Sequence, residues 1–394
     1  MEQLPQRLEA ITEDVIRWRR TLHEQPELSF EEVRTSRWIY DMLHSFGGLE
    51  LSRPTKTSVL ARLKGAHPGP VVAFRADIDA LPIQEETNLS YRSRRDGVMH
   101  ACGHDAHAAM LLGAARVLSD MADSLRGEIR FLFQHAEELQ PGGAIEIVET
   151  GVLDDVDAIF GLHVDPNFPT GVFATKAGIL TSATDRLDVT ITGRGGHASM
   201  PHKCIDPVVI GAEFVLSAQQ IVSRRLDPAL ASVVSITQFD TGGGAINVIP
   251  DRIRLGGSVR TFDPEARQRI PDMLEALLKG LTEASGASYT FTYERGYPST
   301  VNDAGLVDVA ERLIRERMGD ARFVRLERPL PPGEDFARYT EKLKGCFIAL
   351  GAGNEATVYP HHHPRFVIDE AALAYGVKFW VHAALLSSEL VGSR

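Results

Sequence analysis

Short apolar runs alternate with segments of helical period between residues 59 and 163; the alternation stops near Thr184 and resumes after Gly296. This change of period constrains the fold more than any other feature. In the first stretch 59–63, 71–75, 128–134 and 157–163 read as strands, while 106–118 and 145–150 read as helices. Strands separated by helices predict an α/β domain with a mainly parallel sheet. The interruption reads differently: 187–192 alternates as a half-exposed strand, 207–223 is helical, 233–239 and 253–260 are strands, 266–284 is helical and 288–293 is a strand. That β-α-β-β-α-β order predicts a ferredoxin-like unit. Helices at 8–23 and 31–46 precede the first stretch, and a helix at 304–318, a buried strand at 346–350 and a terminal helix at 369–388 follow the interruption. The expected architecture is one α/β domain, residues 1–183 and 296–394, interrupted by a smaller domain at 184–295.

Two domains also suit a chain of 394 residues. The formal charge of −11 repels polyanions, so nucleic acid is excluded as a partner. Three widely spaced cysteines are no disulfide framework and fit a reducing compartment. The N-terminal residues lack the basic and apolar regions of a signal peptide. No apolar run approaches the roughly 18 residues of a membrane span, so no membrane partner is expected. The expected location is the cytoplasm. A phosphate-transferring enzyme is disfavoured: Gly242-Gly243-Gly244 leads into Ala245-Ile246-Asn247, not into a Lys-Ser/Thr pair.

Four segments carry metal-ligating residue types where a strand is expected to end or a loop to begin: His100-Ala101-Cys102-Gly103-His104-Asp105, Gln134-His135-Ala136-Glu137-Glu138, Ile159-Phe160-Gly161-Leu162-His163, and Tyr359-Pro360-His361-His362-His363-Pro364. Functional groups in open α/β sheets gather at the carboxyl ends of strands. Cys102 and His104 flank a glycine, so both can reach one centre if the backbone is irregular there; a helix would place them on different faces. Of two adjacent carboxylates, one can ligate a cation while the other works as a general base. Thiolate, imidazole and carboxylate together favour Zn, Mn, Co or Ni over Ca or Mg. Cys102, His104, Glu138, His163 and His362 are too many for one catalytic zinc with three protein ligands. They suit two divalent ions sharing a bridging ligand.

With Arg19-Arg20-Thr21-Leu22-His23, Phe74-Arg75-Ala76-Asp77-Ile78-Asp79-Ala80-Leu81-Pro82, Gly195-Gly196-His197-Ala198-Ser199, Asn247-Val248-Ile249-Pro250 and Gly333-Glu334-Asp335-Phe336, these segments run in order along nearly the whole chain. Together they resemble the two-metal aminoacylase and carboxypeptidase family, in the branch that holds hippurate hydrolases and auxin-conjugate hydrolases. The resemblance implies that Cys102 bridges the two metals, where most of the wider family has an aspartate, and that His104, Glu138, His163 and His362 complete the ligand set. It makes Glu137 the general base. Arg75 stands where the wider family has a ligand histidine, which leaves Asp77 without an assigned role. The inserted domain is implied to be a lid that forms a homodimer or higher oligomer. Its His197 would reach the partner's active site to stabilise the oxyanion, and Asn247 and Arg260 would contact substrate, Arg260 pairing with a carboxylate. The implied reaction is deacylation of an N-acyl amino acid by hydroxide held between the metals. A carboxypeptidase or dipeptidase using the same site is the alternative among enzymes, and a non-catalytic metal-binding relative the alternative of another class; retention of Glu137 disfavours the latter.

Overall fold

The computed structural model describes residues 3–391. The chain divides into two compact units: one of residues up to 180, 300–328 and from 335 onward, the other of residues 181–299 and 329–334.

The first unit is built on an eight-stranded sheet. Its centre is four parallel strands in the spatial order Arg126–Gln134, His67–Asp77, Ala158–Pro169 and Gly345–Gly353. Val59–Lys64 adds antiparallel to the first of these, with Glu50–Ser52 beyond it. Phe173–Thr175 adds antiparallel to the last, with Phe323–Arg325 beyond it. Ile129–Gln134 and Val72–Asp77 are buried without alternation, as expected where a parallel sheet is covered on both faces. The helix His104–Ser119 is buried nearly all round, because Ala, Leu, Met and Gly occupy every face of it. It packs against the sheet and against the helices Thr12–Glu24 and Ala371–Leu385.

Three elements differ from the sequence reading. The N-terminal helix is two, Leu4–Ala10 and Thr12–Glu24, and at the break the Thr12 hydroxyl donates to the Leu8 carbonyl at 3.0 Å. The C-terminal helix likewise divides into Ala371–Leu385 and Ser387–Val391. The strand expected to end at His163 continues to Pro169, because its parallel register runs on through Val164 opposite Leu350 and Asp165 opposite Gly351.

The second unit has strands Ala183–Thr192, Ser232–Asp240, Arg252–Thr261 and Ser288–Arg295 and helices Pro207–Gln220 and Pro264–Ser285, in the chain order β-α-β-β-α-β. The sheet is antiparallel throughout, with spatial order 232–240, 252–261, 183–192, 288–295. Leu187, Val189 and Ile191 point into a core with Phe214, Ile270, Leu274 and Leu278. Both helices begin with aspartate before proline: Asp206 accepts from Val208 N–H and Asp263 from Ala266 N–H, which satisfies donors the first turn leaves open. Residues 329–334 belong here because Thr181 bridges to Leu330 and Ser182 N–H donates to the Pro332 carbonyl at 3.1 Å. Among the described residues no helix is long and apolar enough to cross a membrane.

Candidate metal centre

The centre lies in the first unit, where two parallel strands end and a helix begins. The strand His67–Asp77 runs out into Ile78-Asp79, and Arg126–Gln134 into a turn through Ala136, which holds φ of 49° before Glu137. Gly103 takes φ of 96° between Cys102 and the first helical residue, His104. That left-handed step lets both side chains face one point. His362 also holds a left-handed φ, 63°, pinned by donation of its N–H to the Ala101 carbonyl at 2.8 Å. Non-glycine residues in this region are strained, and such strain collects at functional sites.

Cys102, His104 and His163 bring donor atoms within 4.8 Å of one another, and so do Cys102, Glu138 and His362. Cys102 is common to both groups. Its Sγ lies 3.5 Å from His163 Nε2. His362 Nε2 lies 3.2 Å, and His104 Nε2 3.9 Å, from Glu138 Oε1. Glu137 is buried beside them and forms a third group with His104 and Glu138. Of the three consecutive histidines only His362 joins a donor group: His361 Nε2 donates to the Val164 carbonyl at 2.9 Å, and His363 stacks on Tyr359.

The surroundings orient these donors. His104 Nδ1–H donates to the carbonyl and Oδ1 of Asp79 at 3.0 and 3.1 Å. Asp79 Oδ2 accepts from Glu138 N–H at 3.0 Å and from the Ser29 hydroxyl at 2.7 Å. One carboxylate therefore sets two of the candidate ligands. His163 donates through Nδ1 to the Val164 carbonyl at 2.8 Å, leaving Nε2 toward Cys102.

Beneath the centre Arg75, 1 % exposed, donates to Asp77 Oδ2 at 2.6 Å, Asp335 Oδ1 at 2.8 Å and Gln134 Oε1 at 2.8 Å. Asp77 Oδ1 accepts from His107 Nδ1 at 2.5 Å. Arg75 is thus a buried cation between two carboxylates, and both Asp77 oxygens are engaged.

These residues fit a pair of cations. His104 Nε2 and Glu138 Oε1 are buried without a hydrogen-bond partner, a costly state that a bound cation relieves. Burial pushes the Cys102 thiol well above its usual range, and the Glu138, Glu137 and Asp77 carboxylates push it further. Burial alone would depress His104, but Asp77, Asp79 and Glu138 outweigh it and hold the ring at about 10. Burial and the neighbouring His107 and His361 push His163 well below its usual range, leaving the neutral imidazole a metal requires. A pocket this rich in negative charge stabilises any cation brought into it.

The remaining candidates belong to the second unit. His197 is exposed, paired across a two-residue ladder with Val248, and its Nδ1 accepts from Ser199 N–H at 3.1 Å and faces the Ser199 hydroxyl at 2.9 Å. Asn247 flanks the same ladder, its carbonyl accepting from Ala198 N–H at 2.9 Å. Arg260 is half-buried on the strand Arg252–Thr261; its side chain makes no hydrogen bond or ion pair among the described residues, and burial pushes it below its ordinary pKa.

Sequence reasoning did not find Asp79 or His107. Their signal is there: Arg75, Asp77 and Asp79 alternate through an otherwise apolar stretch, and His107 lies on a helix that is apolar on every side.

A parallel sheet whose strand ends gather two donor groups around one thiol, with a second glutamate alongside, defines a metal-dependent hydrolase of the two-cation class. The chain belongs to peptidase family M20/M25/M40, whose model matches residues 73–386. It is 52% identical to an N-acyl-L-amino acid amidohydrolase of Geobacillus stearothermophilus, over 76% of this chain and 81% of that one. It is 42% identical to an N-acetylcysteine deacetylase of Bacillus subtilis, over 96% and 97% of the two chains. Among solved structures it resembles the Bacillus subtilis YXEP protein, a dinuclear metal binding peptidase from the M20 family, with a TM-score of 0.83, 39% identity and coverage of 97% and 99%.

Proposed function

We propose that this chain removes the acyl group from N-acyl amino acids by metal-dependent hydrolysis. The observation that carries the reading is the shared thiol: Cys102 belongs to both donor groups, and Glu137 stands beside them, next to Glu138. His104 and His163 would complete one ion's site with Cys102, and Glu138 and His362 the other's. Two divalent transition-metal ions (Zn, Mn, Co or Ni) would supply Lewis acidity, polarising the amide carbonyl and acidifying a water.

The protein's own groups account for the proton. Glu137 takes the proton that the water loses and delivers it to the leaving nitrogen, since an amine departs readily only once protonated. Glu138, held by its ligand role and by Asp79, cannot shuttle in this way. Arg260, half-buried and in no ion pair among the described residues, suits the carboxylate of an amino acid bidentately. His197 would donate to the developing oxyanion from a partner subunit, with Asn247 beside it, which makes the working unit a homodimer or larger and the second unit a lid. A centre built on a thiolate works in a reducing compartment, consistent with the cytoplasm.

The test is a panel of N-acetyl and N-benzoyl amino acids set against dipeptides. Acyl amino acids should be cleaved, with activity lost on chelation and restored by divalent ions. Glu137→Gln should keep both ions while kcat falls by ~10²–10⁴-fold, with KM little changed. A protein that binds two ions yet cleaves only the dipeptides would instead be a peptidase on the same site.

A further inference from the structure

The two histidines proposed to share an ion with Cys102 are held in different ways. His104 leans directly on a carboxylate, Asp79. His163 leans on a backbone carbonyl, that of Val164. The same residue is held at its amide as well: Val164 N–H, in the preceding peptide group, donates to His107 Nε2 at 2.8 Å. A ring nitrogen that accepts carries no proton, so the proton of neutral His107 is on Nδ1, which faces Asp77 Oδ1 at 2.5 Å. Asp77 is fixed in turn by Arg75 at its second oxygen. The Val164 backbone is therefore held from two sides: its carbonyl accepts from His163 Nδ1–H, and its N–H donates to His107, which is itself fixed by the Asp77 carboxylate.

Another arrangement of the same residues would make Asp77 and His107 ligands, since their donor atoms also gather within 4.8 Å of one of His104. The hydrogen bonds argue against it. Both Asp77 oxygens are occupied, and His107 has one nitrogen committed to Val164 and the other to Asp77.

We infer that His107 is a positioning residue, which with Asp77 anchors the Val164 backbone and so sets the tautomer and direction of His163. The inference rests on the reading of His163 as a ligand. Anchoring Val164 N–H fixes the Val164 backbone, and with it the direction of the carbonyl that holds the His163 proton on Nδ1 and also accepts from His361 Nε2 at 2.9 Å. Nε2 is then left bare toward Cys102. Outer hydrogen-bond partners of this kind tune a ligand's basicity, and their removal typically costs 10–100-fold in metal affinity.

The experiment uses the full chain and zinc, with affinity for each ion read by chelator competition. The protonated nitrogen of His163 is read by nitrogen-15 NMR of histidine-labelled, metal-free protein. His107→Leu should weaken one of the two ions by about 10–100-fold and let His163 populate both tautomers. His107→Gln, whose amide can accept from Val164 and donate to Asp77, should restore both readouts, which a mere packing role would not predict. A folded His107→Leu with zinc affinity within about twofold of wild type and His163 still protonated on Nδ1 would overturn the anchoring role. If the leucine variant does not fold, His107→Asn carries the same test: its amide is too short to span both partners, and affinity equal to that of His107→Gln would overturn the proposal. His163→Ala separates the two levels. If it binds both ions as wild type does, the ligand assignment falls and the anchoring role with it; if it loses an ion while His107→Leu does not, the anchoring role alone is wrong.

Discussion

Asp79 bears on the centre more directly than any residue outside the donor groups, so Asp79→Asn is the sharpest structural test. The carboxylate accepts three hydrogen bonds: from His104 Nδ1 at 3.1 Å, Glu138 N–H at 3.0 Å and the Ser29 hydroxyl at 2.7 Å. Every group it faces here is a donor. An asparagine has one oxygen and one amino group, so whichever way it turns, an N–H meets another donor. If the amino group faces His104, it meets Nδ1–H of a ring that is doubly protonated without metal, and the clash is relieved only if the ring turns away or gives up its Nδ1 proton. If it faces Glu138, the backbone that carries that ligand must shift. One charge-assisted hydrogen bond is worth ~1.5–3 kcal/mol, and a buried donor left unsatisfied costs ~1–3 kcal/mol. These overlap rather than add, so a loss of ~2–4 kcal/mol is expected in the metal-free protein. At ~2 °C per kcal/mol for a unit of this size, that lowers Tm by about 4–8 °C. Zinc affinity should fall by about 10–100-fold or more, since both donor groups lose a member's orientation. Thermal melts of metal-free protein and chelator competition measure the two effects separately. Asp79→Asn protein that binds two ions with wild-type affinity would refute the view that this carboxylate organises the centre, whatever its Tm.

Other expectations concern separate parts of the molecule. Cys102→Ala should cost both ions, whereas Cys346→Ala, on a buried strand of the same sheet, should cost stability without changing the metal-to-protein ratio by elemental analysis. If His197 acts across subunits, mixing inactive His197→Ala and Glu137→Ala chains should restore activity in heterodimers; mixtures that exchange subunits and stay inactive would refute it. His382 gives a pH signature remote from the metals: burial, with Arg317 and Lys378 nearby, lowers its pKa from 6.5 to about 4. Because the folded value lies below the unfolded one, the neutral ring's contribution is complete above pH 6.5 and is lost as the pH falls toward 4. The full shift corresponds to ~3 kcal/mol, trimmed to ~1–2 kcal/mol by partial exposure of the ring. His382→Gln should flatten that part of the stability curve in chemical denaturation at pH 7 and pH 4.5; an unchanged slope would count against it.

The sequence by itself determined what each stretch can be. Uninterrupted apolar runs such as Val71–Phe74 cannot sit at a half-exposed surface, so they implied covered strands of a parallel sheet, while alternation at 187–192 implied a sheet with one solvated face. Donor chemistry was equally local: a thiol, two carboxylates and several imidazoles on short segments call for transition-metal ions whatever the fold. Tertiary structure decided which of those groups meet and what holds them. His361, His362 and His363 are identical in chemistry, and only the left-handed backbone at His362, with its tie to Ala101, turns one of them toward Glu138. The orienting layer was hidden for a related reason. Asp79 reaches His104 across 25 positions and Glu138 across 59, and His107 reaches Val164 across 57. Ligand types follow from residue identity, but a hydrogen bond across such separations exists only once the sheet has brought its strand ends side by side, and no local periodicity records it.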